Sequence, residues 1–319
     1  MAFTAEDTAQ RVLRGEVRAA ARLMRWLDDG QPDGITALKL LAPHTGRAWV
    51  IGLTGSPGAG KSTLTDALIA AYRAQGKKVG VLAVDPTSPF SGGAILGDRI
   101  RMQRHETDPG VFIRSLATRG SLGGLSHSTR HCIQVLDAFG CEIILVETVG
   151  VGQDEVDIVQ AADTSVVVTV PGMGDDIQAI KAGILEIADL FVINKSDRDG
   201  ADRTEKELRI MLELVPHPAD TWRPTITRTV AVQGTGIAET VQAIAEHRAW
   251  VESLPPGHRA ARHSPTERAV QRAVDHMFHL LRQHGERSQN SPAGQAILDQ
   301  VRRRELDPFT AGEALAALD

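Results

Sequence analysis

Residues 48–63, AWVIGLTGSPGAGKST, decide the interpretation of this 319-residue chain. An apolar run predicts a buried strand, and it leads directly into G-x-x-x-x-G-K-S at 55–62, with a helix predicted from Thr63. The glycines let successive backbone N–H groups point at phosphate oxygens, and the helix N-terminus adds partial positive charge. We therefore expect a phosphate-binding loop formed by Gly55, Ser56, Pro57, Gly58, Ala59, Gly60, Lys61, Ser62 and Thr63.

A divalent cation is the expected companion of such a loop. Lys61 is predicted to reach the β and γ phosphates, and the Ser62 hydroxyl to coordinate Mg²⁺. Asp85 and Glu147 each end an apolar strand, and the carboxyl ends of parallel strands border the ligand crevice of an open α/β sheet. Asp98 lies in a glycine-rich segment that could fold over the nucleotide. The predicted metal residues are Ser62, Asp85, Asp98 and Glu147, whose hard oxygen atoms suit Mg²⁺.

Short β-rich apolar runs alternate with helical patterns through the middle of the chain. This alternation predicts a doubly wound, mainly parallel sheet in an α/β P-loop nucleoside triphosphatase domain over 46–255. The runs are 48–53, 79–84, 111–116, 143–146, 165–170, 190–193 and 227–232. An apolar stripe predicts one helix over 5–27, ended by Gly30, Pro32 and Gly34 and followed by a short helix before Pro43. Together they form an N-terminal helical segment, 1–45.

The C-terminal residues 256–319 are predicted to form a helical arm. Three helices are expected, starting at Pro265 and then covering about 293–304 and 308–318. Because three short helices bury little surface alone, we expect the arm to pack on the main domain or on another subunit.

Composition excludes several classes of protein. The formal net charge is −5, from 35 Lys and Arg against 40 Asp and Glu, so no general attraction to nucleic acid or anionic lipid is expected. No segment reaches the roughly 18 uninterrupted apolar residues of a membrane span. Two cysteines cannot build a disulfide framework, and the first residues lack the features of a secretion or transit signal. We expect a cytoplasmic protein.

The sequence N-K-x-D at 194–197 follows an apolar strand and indicates guanine recognition. Guanine offers N1–H and N2–H donors that suit the Asp197 carboxylate, whereas adenine offers an acceptor at N1. The Lys195 stem can cover one face of the base while Asn194 braces the loop. GTP and GDP are therefore favoured over adenine nucleotides. Backbone N–H groups near guanine O6 are expected from Val232, Gln233 and Gly234.

Hydrolysis is predicted to be slow without a partner. Gly150, in the sequence E-T-V-G, can offer its N–H to the γ phosphate, but Val151 follows it where small GTPases carry a water-orienting glutamine. Another group must then stabilise charge in the transition state. Lys181 is the candidate, together with Gln178 three residues earlier in a glycine-rich loop. Alternatively, both side chains simply solvate a surface helix.

The chain resembles the MeaB/ArgK GTPases over nearly its whole length. The residues that carry this resemblance lie at 55–63, 84–89, 119–126, 146–153 and 171–189. The family implies a homodimeric GTP-hydrolysing metallochaperone of an adenosylcobalamin-dependent methylmalonyl-CoA mutase, which gates cofactor loading and protects the mutase. By resemblance, Asp85, Asp98 and Glu147 are metal-proximal switch residues, and 256–319 is a dimerisation arm.

The resemblance also implies a third switch that responds to the mutase, which contains Gln178 and Lys181. With Lys61 and Glu147, these two residues complete the predicted catalytic set. Asn194, Lys195 and Asp197 are implied to bind guanine. Which acyl-CoA mutase is the client stays open.

Two other functions are compatible with a phosphate loop. A nickel-delivery GTPase would need a Cys/His metal site, and His127, His131 and Cys132 are the close cluster in this sequence. A cysteine on a helix more often packs in the core, which disfavours this function. A small-molecule kinase would need a separate acceptor pocket, and the sequence identifies none.

Overall fold

The computed structural model describes residues 3–85, 103–105, 107–117, 127–148, 161–172, 188–214, 221–255 and 265–318. The chain divides into two compact units, Met1–Pro265 and Thr266–Asp319. Among the described helices, none combines the length and apolar character that a bilayer crossing requires.

A seven-stranded sheet, counted over the described residues, forms the centre of the first unit. Its strands are β1 (Trp49–Gly55), β2 (Val79–Asp85), β3 (Val111–Ala117), β4 (Ile143–Thr148), β5 (Thr164–Thr169), β6 (Leu190–Asn194) and β7 (Thr225–Thr229). They are hydrogen-bonded in the order β3-β2-β4-β1-β5-β6-β7, and every pairing is parallel. The predicted doubly wound parallel sheet is confirmed. Its connections diverge around β1, where open α/β sheets bind their ligands.

Helices cover both faces of this sheet. The described residues of the first unit form the helices α1 (Ala5–Leu13), α2 (Val17–Asp28), α3 (Pro32–Leu41), α4 (Lys61–Ala74), α5 (His127–Ala138), α6 (Ala201–Leu214) and α7 (Ile237–Ser253). Val50 of β1 joins the core formed with α1–α3 and α5, whereas its neighbours Trp49 and Ile51 join the core formed with α4 and α7. Successive strand residues point to opposite faces, so a strand covered on both sides must be apolar throughout.

A buried carboxylate secures the entry to β1. Asp137, at the end of α5, accepts hydrogen bonds from the backbone N–H groups of Gly46, Arg47 and Ala48. The buried N–H of Ala48 thereby gains a partner, and the segment between the N-terminal helices and β1 is held against α5. This contact positions the strand that delivers the phosphate loop.

The structure corrects the predicted N-terminal helix. The apolar stripe of 5–27 is divided between α1 and α2, because Gly15 adopts a left-handed conformation with φ +78°. Pro32 begins α3 instead of ending the preceding helix, consistent with the preference of proline for the first helical turn.

The last strand differs from the predicted range 227–232. β7 ends at Thr229, and Ala231–Gln233 form a 3₁₀ turn that Gly234 ends at φ +75°. Val232 is 80% exposed in this turn. The apolar residues Val230, Ala231 and Val232 favour a strand locally, but the chain turns here because Gly234 adopts a left-handed conformation.

The second unit consists of helices at the three predicted places. They are α8 (Pro265–Asn290), which begins in the first unit, α9 (Pro292–Arg302) and α10 (Pro308–Ala316). Ser291 and Asp307 cap α9 and α10 by accepting hydrogen bonds from first-turn N–H groups. At 26 residues, α8 is considerably longer than the short helix that the sequence suggested.

Candidate nucleotide site

The phosphate loop lies between β1 and α4, at the carboxyl edge of the sheet. Gly55 ends β1 with φ +134°, and a Cβ atom there would lie 2.0 Å from the Val168 carbonyl oxygen of β5. Gly60 has φ +89°, and its Cβ would lie 2.4 Å from the Asn194 side-chain nitrogen. Both positions therefore require glycine for backbone conformation and for space. The helix begins at Lys61, two residues earlier than predicted.

The Lys61 side chain is buried within this loop. Its ammonium Nζ donates hydrogen bonds to the carbonyl oxygens of Gly55 at 2.6 Å and Ser56 at 3.1 Å. These carbonyls hold the positive charge of Lys61 within the loop. A buried ammonium group with its N–H donors in this position is suited to binding polyphosphate.

Glu147 lies beside the first turn of α4. It is the penultimate residue of β4 and is 3% exposed. Its Oε1 accepts a hydrogen bond from the Ser62 hydroxyl at 2.6 Å, and its Oε2 accepts one from the Thr65 hydroxyl at 2.9 Å. The structure thus brings two predicted metal residues, Ser62 and Glu147, into direct contact. Thr65 was not predicted, since nothing in the local sequence indicates a partner 82 residues away.

The oxygen atoms at this position fit Mg²⁺. Hydroxyl and carboxylate oxygens are the hard ligands that Mg²⁺ prefers, commonly with water completing its shell. Asp85 ends β2, which pairs with β4 so that Val84 lies opposite Thr148, and its backbone therefore lies at the same edge as Glu147. Among the residues whose side chains the structure describes, Ser62 and Glu147 could hold the ion.

The guanine motif is tied directly to the phosphate loop. Asn194 donates from Nδ2 to the Ala59 carbonyl oxygen at 2.9 Å, while its Oδ1 accepts from the Thr229 hydroxyl and the Ala231 N–H. Lys195 has φ +55°, and its Nζ donates to the Gly58 carbonyl oxygen at 2.8 Å. Asn194 therefore links the loop, β7 and the following turn.

Asp197 lies two residues beyond Lys195 and is exposed. The intervening Ser196 donates from both its N–H and its hydroxyl to the Thr229 carbonyl oxygen. The turn containing Val232, Gln233 and Gly234 follows the same strand, so the predicted base-proximal loop lies next to the N-K-x-D turn through Asn194.

Several predicted positions lie outside the described residues. They are Asp98, Gly150, Gln178 and Lys181, together with the segment 119–126.

Sequence comparison decides the family. A family model described as "Methylmalonyl Co-A mutase-associated GTPase MeaB" matches residues 21–286. The chain belongs to the MeaB family. A putative GTPase of Pyrococcus abyssi is 48% identical to this MeaB-family chain over 313 residues, covering 97% of the chain and 95% of the relative. GTPase ArgK of Escherichia coli is 35% identical over 252 residues, covering 77% of the chain and 76% of ArgK.

A solved structure agrees with this assignment. The crystal structure of a protein named LAO/AO transport system kinase has a TM-score of 0.68 and 25% identity to the MeaB-family chain, covering 98% of the chain and 96% of that structure. The chain is thus a MeaB-family GTPase with a P-loop fold, and GTP and GDP are its nucleotides. The resemblance inferred from the sequence motifs is confirmed.

The cysteine-histidine cluster of this MeaB-family chain is not arranged as a metal site in the part that the structure describes. Cys132 is completely buried in the core between α5 and the sheet, and this burial raises the pKa of its thiol. A neutral thiol is a poor metal ligand, since coordination requires the thiolate. Over the described residues no group of three or more His, Cys, Asp and Glu side chains could hold a metal ion. Cys132 therefore serves packing.

Proposed function

We propose that this MeaB-family GTPase is a Mg²⁺-dependent, GTP-driven chaperone of an adenosylcobalamin-dependent acyl-CoA mutase of the methylmalonyl-CoA type, acting in the cytoplasm. The observation that carries the proposal is the connection between the proposed phosphate and base sites. Asn194 donates a hydrogen bond to the phosphate loop, and the Lys61 side chain is buried inside that loop. The client is inferred from the family description, which names a mutase-associated GTPase. Two free, buried cysteines fit a reducing compartment.

The geometry of the loop supports phosphate binding. Backbone N–H groups of 55–60 and the N-terminus of α4 bind the phosphate oxygens, and Lys61 reaches the β and γ phosphates. Ser62 would hold the cation, with Glu147 accepting a hydrogen bond from the Ser62 hydroxyl and Asp85 and Asp98 completing the acidic surroundings. When bound, Mg²⁺ neutralises charge on the β and γ oxygens. Gly150 donates its N–H to the γ phosphate.

Base recognition depends on Asp197, whose carboxylate accepts from guanine N1–H and N2–H. Lys195 packs its stem on one face of the base, while Val232, Gln233 and Gly234 present their turn toward O6. Asn194 supports the site indirectly by fixing the loop and the turn, since its side-chain atoms are hydrogen-bonded to Ala59, Thr229 and Ala231.

The mutase is expected to accelerate hydrolysis, with Lys181 supplying charge to the transition state and Gln178 assisting it. Replacing Lys181 by alanine should leave the intrinsic rate within about twofold and lower the mutase-stimulated rate about 100-fold or down to the intrinsic rate, because one transition-state donor is worth roughly 2.7–4 kcal/mol. Release of phosphate from GTP is measured with and without purified methylmalonyl-CoA mutase.

Lys206→Ala, which removes an exposed lysine of α6, is the matched control. Equal rates of the wild type with and without mutase would contradict the client assignment. A normal response of Lys181→Ala would contradict only the role of Lys181.

A small-molecule kinase is the second candidate, favoured by the name of the similar crystal structure, LAO/AO transport system kinase. The same experiment separates the two functions when GTP carries labelled γ phosphate. Label recovered as inorganic phosphate supports hydrolysis, and label on any added small-molecule acceptor supports the kinase.

Self-association is proposed to use α8. Its exposed apolar side chains recur at helical spacing along one face: Val270, Val274, Met277, Phe278 and Leu281. Phe278 is 60% exposed and Leu281 58%. Burying each such side chain contributes about 1.5–3 kcal/mol, which favours covering this face. The proposed occupant is the same helix of a second copy of the chain.

Changing Phe278 and Leu281 together to glutamate should weaken the homodimer at least about 100-fold, since each protomer then places two charges in an apolar contact. Light scattering across a concentration series measures the change. Gln283→Glu with Arg287→Glu alters the opposite side of α8 and should leave the mass unchanged. Dimers of undiminished stability in the first variant would place the interface elsewhere.

A further inference from the structure

Thr65 contacts the same carboxylate as Ser62 but belongs to neither the phosphate loop nor the guanine motif. It is fully buried in the second turn of α4, and its hydroxyl lies 2.9 Å from Glu147 Oε2. Ser62 lies three residues earlier, so both hydroxyls project from one side of the helix. Each carboxylate oxygen of Glu147 thus has its own hydroxyl donor on α4.

The length of the Glu147 side chain suits this arrangement. An aspartate at this position would end one carbon–carbon bond, about 1.5 Å, closer to β4. The longer side chain reaches α4 and lies across two hydroxyls that are one helical turn apart. The reach of the glutamate therefore has a structural counterpart in the Thr65 hydroxyl.

The Thr65 hydroxyl carries one proton and has two acceptors within reach. Besides Glu147 Oε2, the Lys61 carbonyl oxygen lies at 3.0 Å. A hydrogen bond to a carboxylate is roughly twice as strong as one to a neutral carbonyl, so the Thr65 hydroxyl donates its hydrogen bond to Glu147. With Oε2 hydrogen-bonded to Thr65, rotation of the carboxylate would break this bond, so Oε1 stays directed at Ser62.

We propose that Thr65 is a positioning residue for Mg²⁺: it fixes the orientation of Glu147, which in turn directs the Ser62 hydroxyl so that its lone pairs face the ion. This inference rests on the proposed Mg²⁺-dependent GTP binding. Partners that orient a metal ligand typically contribute about 10- to 100-fold to metal affinity. Thr65 is in neither the predicted nucleotide-binding set nor the predicted catalytic set, and it acts through Glu147.

The test is a Mg²⁺ titration of the full-length protein bound to GDP, with direct binding of Mn²⁺ measured by electron paramagnetic resonance. Thr65→Val keeps the shape of the side chain and removes the hydroxyl. It should raise the half-saturating Mg²⁺ concentration about tenfold. Thr65→Ser retains the hydroxyl and should stay within about twofold of the wild type. In the Glu147→Gln background, Thr65→Val should have little additional effect, because both changes act on one unit.

Thr240→Val is the matched control. Thr240 is also a fully buried helical threonine, with its hydroxyl donating to the carbonyl oxygen of Gly236 four residues earlier, but it lies on α7. Its replacement should leave the Mg²⁺ titration unchanged. Thermal unfolding without metal or nucleotide identifies any loss of fold, and Thr65→Ala is judged by the same criterion if Thr65→Val does not fold.

An unchanged Mg²⁺ requirement in the hydroxyl-free variants would overturn the inference, as would a Thr65→Ser variant as impaired as Thr65→Val. In both cases intact GDP binding would leave the proposed function standing. Failure of the wild type itself to bind GDP would instead remove the proposed function.

Discussion

Replacing Lys61 with alanine should lower the rate of GTP hydrolysis about a thousandfold. The ammonium is buried and held by the carbonyl oxygens of Gly55 and Ser56, so its charge is placed before the nucleotide arrives. A pre-positioned donor at developing negative charge contributes roughly 10²- to 10³-fold each, and this one also offsets phosphate charge in the ground state. The measurement is single-turnover hydrolysis at saturating GTP.

Lys78→Ala separates this effect from the general loss of a partly buried lysine. Lys78 also donates to a backbone carbonyl, that of Phe139 at 2.8 Å, but it precedes β2 at the opposite edge of the sheet. Burial lowers the pKa of the Lys78 ammonium. Hydrolysis by Lys78→Ala should match that of the wild type. A Lys61→Ala rate within about tenfold of the wild type would show that Lys61 is not part of the catalytic machinery.

Much of this fold could be predicted from sequence because a parallel sheet buried on both faces imposes a continuous apolar run on each strand. The run 48–53 became β1 with its bounds shifted by only one or two residues. The predicted single helix over 5–27 was wrong because the backbone turns at Gly15 although the pattern of apolar side chains continues. The apolar stripe continues in register across Gly15, so periodicity alone could not show the break between α1 and α2.

The site was predictable to the extent that its residues are adjacent in sequence. The loop 55–63 and the motif 194–197 each carry their own spacing, so they could be recognised locally. The bonds that join them could not. Asn194 meets Ala59 across 135 residues and Thr65 meets Glu147 across 82, and both contacts follow from the strand order of the sheet. Contacts between residues so far apart in the sequence produce no local pattern from which they could be predicted.

Changing Asp197 to asparagine should reduce GTP affinity by about 100-fold or more. The carboxylate is expected to accept two charge-assisted hydrogen bonds from guanine, each contributing about 1.5–3 kcal/mol. Asparagine presents one acceptor and one donor, and its NH₂ group would face the guanine N2–H₂ donor. The turn itself should persist, since Ser196 and Asn194, not Asp197, make the described bonds to β7.

The same change should improve binding of xanthosine triphosphate, and this reversal distinguishes base recognition from loss of fold. Xanthine carries a carbonyl at position 2, so the asparagine NH₂ gains an acceptor while its oxygen still accepts from N1–H. Competition of GTP, xanthosine triphosphate and ATP against a fluorescent guanine nucleotide measures all three affinities. Asp199→Asn, on the same exposed turn, should behave as the wild type. If Asp197→Asn kept GTP affinity within about threefold, guanine would have to be read by other groups, with the turn at Val232, Gln233 and Gly234 the first to examine.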